Sequence, residues 1–407
     1  MSLTKTQRTR LMTQLERWTE ELVNLTKRNK LLHFKHTKSG SLEFTNRTGN
    51  EIDTRLKAAS WGIFLPPDDP ESDSSVAVRP SATELETNKL SAQDVLTSLR
   101  LLERKSVQTM LDSGIWILYV AYGMLRWIDA QDNKPYESPL LLVPVKLTRE
   151  GRNNSYTLKR NDDDPVVNPA LKIKLEKDFG IRLPAIDDEE FDGSPQSIIQ
   201  VVSRLVSRKR DWVVEDRTVL TTFTFHKEAM YQDLVEHRDV IADHPLVQLV
   251  ALGSDAGLED YYFETPSDER LDADAPAEDL VSIRDADSTQ RKCIVAARDG
   301  KSFIINGPPG TGKSQTIANI IAELMHAGKT VLFVSEKAAA LEVVANRLKE
   351  ANLDEFVLEL HSHKATRKEV AVELGRSLDT VPSSKSKFKE TDRNHLRSLR
   401  QELNDYA

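Results

Sequence analysis

The sequence predicts an α/β protein. It divides into a mixed α+β accessory domain over residues 1–245, a connector over 246–285, the first part of a parallel-sheet domain over 286–382, and a helical, coiled-coil-like segment over 383–407. Three observations predict it. Residues 307–314 read Gly-Pro-Pro-Gly-Thr-Gly-Lys-Ser, between a short apolar run and a helical pattern. From residue 286 strand-type and helix-type runs alternate, the order of a parallel sheet with right-handed crossovers. Before residue 245, short β runs mix with amphipathic helices without that alternation.

Composition sets the outer limits. At 407 residues the chain is long enough for about two to three domains. An apolar fraction of 39% supplies cores. A net charge of −8 excludes a globally basic nucleic-acid binder, though not a local basic face. The single cysteine, Cys293, excludes a disulfide framework or a cysteine zinc site and fits a reducing cytoplasm. No apolar run approaches the roughly 18 residues of a membrane span. The N-terminus is polar and basic and lacks the apolar core of a signal peptide.

Residues 1–36 read as helix, because Leu11, Leu15, Trp18, Leu22 and Leu25 recur at three- and four-residue spacing. The basic run that follows holds Lys27, Arg28 and Lys30 among apolar anchors. It is either a solvated helix face or a helix that contacts phosphates of nucleic acid. Residues 61–65 look buried, and 66–80 read as a loop rich in proline, aspartate and serine. Helices are expected over 90–112 and over the strongly apolar 115–127. The aromatics Trp116, Tyr119 and Trp127 sit among aliphatics and read as core rather than as base-stacking platforms. Residues 139–147 form a β run bounded by proline, with 156–159 placed to pair with it as a hairpin across the turn at 151–154. Asn168 and Pro169 open a helix to about Phe179, and 198–209 form another. The acidic run 187–190 lacks metal-loop spacing and reads as surface. Residues 212–214 and 219–225 read as two strands, and the acidic stretch 255–287 as a surface connector.

In the second half, Ser288 or Thr289 is placed to cap a helix over 291–298. Residues 302–306 read as a buried strand leading into the glycine loop. The pattern at Ile317, Ile320, Ile321 and Leu324 reads as a helix leading out of it. Residues 329–335 and 356–361 are expected as further strands, with a helix over 338–348 between them. The tail is polar and lysine-rich from Ser383, then heptad-like at Leu396, Leu399 and Leu403.

The loop carries the chemistry. It fits the G-x-x-x-x-G-K-[ST] pattern of a phosphate-binding loop, in the strand–loop–helix context the pattern needs. Glycines let backbone N–H groups turn inward around a phosphate without Cβ clashes. The helix that starts there presents free N–H groups and its positive dipole end to the anion. Residues Gly307, Pro308, Pro309, Gly310, Thr311, Gly312, Lys313, Ser314 and Gln315 are therefore the candidate binding set for ATP. Lys313 is the candidate catalytic cation on the β- and γ-phosphates, and Ser314 the candidate Mg²⁺ ligand. Hydrolysis also asks for an acidic residue at the end of another apolar strand. The best match, Glu359, lies inside its run rather than beyond the end. With no second motor domain in view, the chain is expected to be the N-terminal part of a longer protein.

At this point the residues resemble a known family. Gln290, residues 307–314 and residues 331–337 resemble the Q motif, motif I and motif Ia of superfamily 1 helicases, in the branch of the nonsense-mediated-decay helicase. The resemblance implies an incomplete RecA-like domain, with Gln290 reading adenine, Lys313 and Ser314 on phosphate and Mg²⁺, and Ser335, Glu336 and Lys337 near the nucleic-acid backbone. Residues 25–32, 138–145, 168–171 and 225–234 are similar to a domain of unknown function found ahead of such helicases in large bacterial proteins. Those proteins are often followed by a Vsr-like nuclease domain and have been linked to defence against phage. The implied partners are nucleic acid, DNA ahead of RNA, and the remaining helicase and nuclease domains of the same protein, with no membrane. The chain departs from the pattern by ending before motifs II to VI, which puts autonomous hydrolysis in doubt. A nucleotide-binding switch or scaffold that senses nucleic acid or a phage component without translocating is the alternative function.

Overall fold

The computed structural model describes residues 3–406 except 24, 27, 68–78, 131, 151–154, 187, 189–190, 225, 257–260, 266, 268–269, 272, 274, 277–279, 361–369, 373, 376–377 and 379–389. The chain divides into two compact units. One comprises Met1–Leu111 and Ile115–Ala256, the other Asp112–Gly114 and Gly257–Ala407.

The first unit is built on an eight-stranded sheet in the order β1-β8-β4-β5-β6-β2-β3, with β7 paired to β5. The strands are β1 (Ser41–Phe44), β2 (Trp61–Ile63), β3 (Glu84–Leu85), β4 (Leu118–Ile128), β5 (Pro135–Glu150), β6 (Ser155–Arg160), β7 (Val166–Val167) and β8 (Val213–Thr222). All pairings are antiparallel except β2 with β3. The hairpin expected from residues 139–159 is present, with Leu147 opposite Leu158. Packed around the sheet are α2 (Gly49–Ala58), α3 (Ala92–Ser113), α4 (Pro169–Phe179) and α5 (Pro195–Val206). A smaller apolar cluster joins Leu11 and Leu15 of α1 (Lys5–Leu22) to Ala242 of α7 (Arg238–Ala242) and Leu252 of α8 (Pro245–Leu252), with α6 (His226–Glu236) beside them.

Three expectations are corrected. The apolar run 115–127 is not a helix but most of the central strand β4. It packs between β5 and β8 and is buried on both faces, so neither the two-residue nor the 3.6-residue period shows in its sequence. Its aromatics lie in or against the core, as expected. Residues 212–225 hold one strand, β8, not two. The polar residues that suggested a break include Arg217, whose guanidinium pairs with Glu43 on β1 and Glu137 on β5. Finally, the first helix ends at Leu22 instead of running to residue 36. Beyond it Leu31, Leu32 and Phe34 turn into the sheet core, which a continued amphipathic helix could not do.

That entry is held by polar groups. The Ser138 hydroxyl donates to the Leu32 carbonyl at 2.8 Å, and the Phe34 N–H donates to the Glu137 carbonyl at 2.8 Å. Asn168, with 0% exposure, caps α4 by accepting from the Leu171 N–H, and its amide donates to the Leu31 and Pro139 carbonyls at 2.7 Å each. Asn168→Ala removes a cap and leaves two buried carbonyls short of a donor. It should cost roughly 2–4 kcal/mol, read as a fall in the urea midpoint of the first unit at unchanged slope.

The second unit holds α9 (Ser288–Arg298), α10 (Lys313–His326), α11 (Ala338–Glu350) and α12 (Glu390–Tyr406). Ile294 and Val295 of α9 share a core with Leu271, Ala275 and Leu280, so the stretch expected as a connector contributes buried side chains. Ile321 of α10 packs with Val344 and Leu348 of α11, with Val331, Phe333 and Val357 against them. The three runs expected as parallel strands carry no ladder pairing among the described residues. They do alternate in exposure: Leu332 and Val334 are 84% and 77% exposed, while Val331 and Phe333 are half-buried. On α12 the heptad leucines Leu396, Leu399 and Leu403 are exposed. No helix among the described residues is long and apolar enough to cross a membrane.

Candidate nucleotide-binding site

The glycine loop folds as its residue types require. Gly310 and Gly312 have φ of +88° and +73°, a region closed to most side chains, and α10 starts immediately after Gly312. A Cβ at Gly312 would lie 2.6 Å from Gln290 Nε2, and one at Gly307 would lie 2.7 Å from Thr311 Oγ1. The Thr311 hydroxyl donates to the Pro308 carbonyl at 2.9 Å and closes the turn. Lys313 folds back over the loop, its ammonium donating to the Gly307 carbonyl at 2.5 Å and the Pro308 carbonyl at 2.6 Å. A cation thus sits at the mouth of a tight glycine turn, at the N-terminus of a 14-residue helix. These groups suit a polyphosphate: helix N–H donors, one ammonium and a hydroxyl, Ser314, in the first turn.

Gln290 belongs to the same cluster. The N-cap of α9 is Asp287, not Ser288 or Thr289, and it forms a reciprocal box with Gln290. The Gln290 N–H donates to Asp287 Oδ1 at 2.8 Å, and Gln290 Oε1 accepts from the Asp287 N–H at 3.2 Å. Gln290 Nε2 then reaches the Thr311 carbonyl at 3.1 Å. Gln315 also lies against Gly312, its Oε1 2.8 Å from the position of a Cβ there. Among the described residues a polar hollow of about 340 Å³ is walled by residues 280 and 282–286 and by Arg291, the neighbour of Gln290 in sequence.

The candidate nucleic-acid residues fall in both units. Lys27 lies outside the described residues. Arg28 is exposed and, with Trp127, Tyr136 and Lys174, lines a cleft of about 700 Å³ in the first unit. Burial, and then the neighbouring Lys105 ammonium, lower the Lys30 pKa. Ser335 and Lys337 belong to the second unit, where the Ser335 hydroxyl accepts from the Lys337 N–H ahead of α11. Glu359 is half-buried in its apolar run.

The sequence reading missed Asn319 and Glu323. Both are fully buried on α10, the helix that starts at the loop, and both bind backbone of residues 281–284. The available signal was their one-turn spacing, in phase with buried Thr316 rather than with solvent.

Comparison with known proteins divides the chain the same way. A family described as a protein of unknown function (DUF4011) matches residues 21–175, and one described as an AAA domain matches residues 285–405. The chain is thus similar to a domain of unknown function followed by an AAA domain. Among curated proteins it is similar to the uncharacterized ATP-dependent helicase MG140 of Mycoplasma genitalium, 28% identical over 265 residues, 58% of this chain and 22% of the relative. The Mycoplasma pneumoniae homolog of that protein is 27% identical over 280 residues, 62% of this chain and 24% of the relative. The chain spans about a quarter of the length of these relatives. No solved structure matches.

Gly312→Ala would place a side chain at positive φ and against Gln290. With about 1–3 kcal/mol of backbone strain at stake, fluorescent-ATP affinity should fall roughly 10- to 100-fold. An unchanged circular dichroism spectrum would locate the loss in the loop.

Proposed function

We propose that this chain carries the nucleotide-binding part of an ATP-dependent superfamily 1 helicase or translocase, cytoplasmic and acting on nucleic acid, with DNA ahead of RNA. The observation that carries the reading is the Lys313 ammonium held in the glycine turn at the start of α10, with Gln290 tied to the same turn. The names of the two relatives support it. Bound ATP with Mg²⁺ would supply the phosphoanhydride bond and the divalent charge. Lys313 would exchange the Gly307 and Pro308 carbonyls for phosphate oxygens, a charge-assisted and stronger pairing. The Ser314 hydroxyl would face the metal, the first N–H groups of α10 would meet the phosphates, and Gln290 would face the base. Ser335 and Lys337 would lie along the nucleic-acid backbone, with Arg28 and Lys30 as a second contact. A role in DNA processing or in defence against phage rests on the family resemblance. The position of Glu359 inside its run favours a second reading, a nucleotide-dependent switch or scaffold that binds partners without translocating.

Fluorescent-ATP binding and phosphate release, with and without single-stranded DNA, separate these readings. Lys313→Ala should lose roughly tenfold or more of ATP affinity, and the wild-type chain should turn over negligibly. Equal binding by Lys313→Ala would remove the site. Robust turnover abolished by Lys313→Ala would make Glu359 the carboxylate to change next. Tight ATP binding with no nucleic-acid affinity in the complete protein would favour the switch.

A further inference from the structure

Asn319 and Glu323 lie one turn apart on α10 with exposures of 0% and 2%. Neither faces the glycine loop. Asn319 Oδ1 accepts from the Ile283 and Arg284 N–H groups at 2.9 Å each, and its amide donates to the Arg284 carbonyl at 3.0 Å. Glu323 Oε2 accepts from the Val281 N–H at 2.6 Å. These four bonds all end on backbone of residues 281–284, a stretch with no regular secondary structure. Buried irregular backbone needs partners, and here they come from the helix that starts at the glycine loop.

The same stretch leads directly to Asp287 and Gln290. Gln290 is held by Asp287 at one end and by the Thr311 carbonyl at the other. A closed circuit results: α10, Asn319 and Glu323, residues 281–284, Asp287, Gln290, Thr311, and back to α10 through Gly312. The polar hollow lies along this circuit, and residues 282–284, which the clamp holds, form part of its wall. The phosphate-facing groups, Lys313 and the first N–H groups of α10, make no use of these bonds.

We propose that Asn319 and Glu323 are positioning residues for the nucleoside end of the site: by clamping residues 281–284 to α10 they hold Gln290 and the hollow that Arg291 helps to wall, leaving triphosphate affinity to Lys313 and the loop. This inference rests on the nucleotide-binding reading above. The side-chain chemistry is specific. Asparagine presents an acceptor and a donor together, matching two N–H groups and one carbonyl. Leucine of similar size would leave all three unpaired. At residue 323 the clamp uses only an acceptor, which glutamine also offers.

The test compares ATP with inorganic tripolyphosphate, each displacing fluorescent ATP from the full chain, in wild type, Asn319→Leu, Asn319→Ser, Glu323→Leu and Glu323→Gln. Asn319→Leu and Glu323→Leu should lose roughly tenfold or more of ATP affinity and keep tripolyphosphate affinity within about threefold. Glu323→Gln should retain both affinities. Asn319→Ser keeps one short acceptor and should fall between wild type and Asn319→Leu, which keeps the test open if the leucine variant fails to fold. Equal losses of ATP and tripolyphosphate in the variants that fold would overturn the proposal, because the clamp would then serve the fold alone. Unchanged ATP affinity in Asn319→Leu would overturn it as well. Wild-type protein that binds neither probe would fail the nucleotide-binding reading, and the clamp's role with it. Where the wild type binds, Lys313→Ala should weaken both probes, which separates loss of the loop from loss of the clamp.

Discussion

Buried backbone N–H and C=O groups have to be paired, and where this chain runs irregularly through its cores two asparagines do the pairing. Asn168 ties the segment that drops from α1, at the Leu31 carbonyl, to β5, at the Pro139 carbonyl. Asn319 receives the segment that leads to α9, through Ile283 and Arg284. One caps a helix and the other sits on one, and each binds chain far away in sequence. Each therefore fixes a non-local contact that hydrophobic burial, being non-directional, would leave loose. Asn168 spends its bonds on the core of a sheet. Asn319 spends its bonds one and a half turns below a phosphate-type loop, where a fixed distance between two chain segments has a chemical use.

The glycine loop was legible because each residue type stands for a geometry. Gly310 and Gly312 mark positive φ, and Lys313 and Ser314 mark a cation and a hydroxyl at a helix start. Spacing alone recovers such a site. The same reading failed where burial erases periodicity. The run at 115–127 is apolar throughout because β4 is covered on both faces, and an apolar stretch of that length reads equally well as a buried helix. The break imagined in β8 came from Glu215, Asp216 and Arg217. Arg217 is satisfied by Glu43 and Glu137 across the sheet, a pairing no local window can see. The end of α1 was hidden because Leu25 continues the apolar spacing while Leu31 and Leu32 belong to another core.

Asn319 and Glu323 were missed for a related reason. A polar residue in an amphipathic helix is assigned to solvent by default, and that default is sound for most helices. Here Asn319 and Glu323 meet backbone of residues 281–284. Buried backbone asks for donors and acceptors, so the sequence places an amide and a carboxylate there. The informative pattern is a polar pair one turn apart beside buried Thr316, directly after a glycine loop.

The runs at 302–306, 331–335 and 357–360 carry the last step. In 331–335 and 357–360 side chains alternate between half-buried Val331, Phe333 and Val357 and exposed Leu332, Val334 and Leu358, while in 302–306 Phe303 is half-buried and both Ile304 and Ile305 are exposed. Alternation of period two belongs to extended chain, and the inner set of 331, 333 and 357 packs under α10 and α11. The outer set is equally apolar. Half-buried antiparallel strands put polar residues on the outer face, whereas strands of parallel sheets covered on both sides are apolar on both. The outer residues Leu332, Val334 and Leu358 are as apolar as the inner ones and are exposed among the described residues. The glycine loop leaves the end of the first of these runs, so the rigidity of that layer bears directly on where Gly307 stands relative to α10. The circuit through Asn319, Gln290 and Thr311 ties the same loop to residues 281–284.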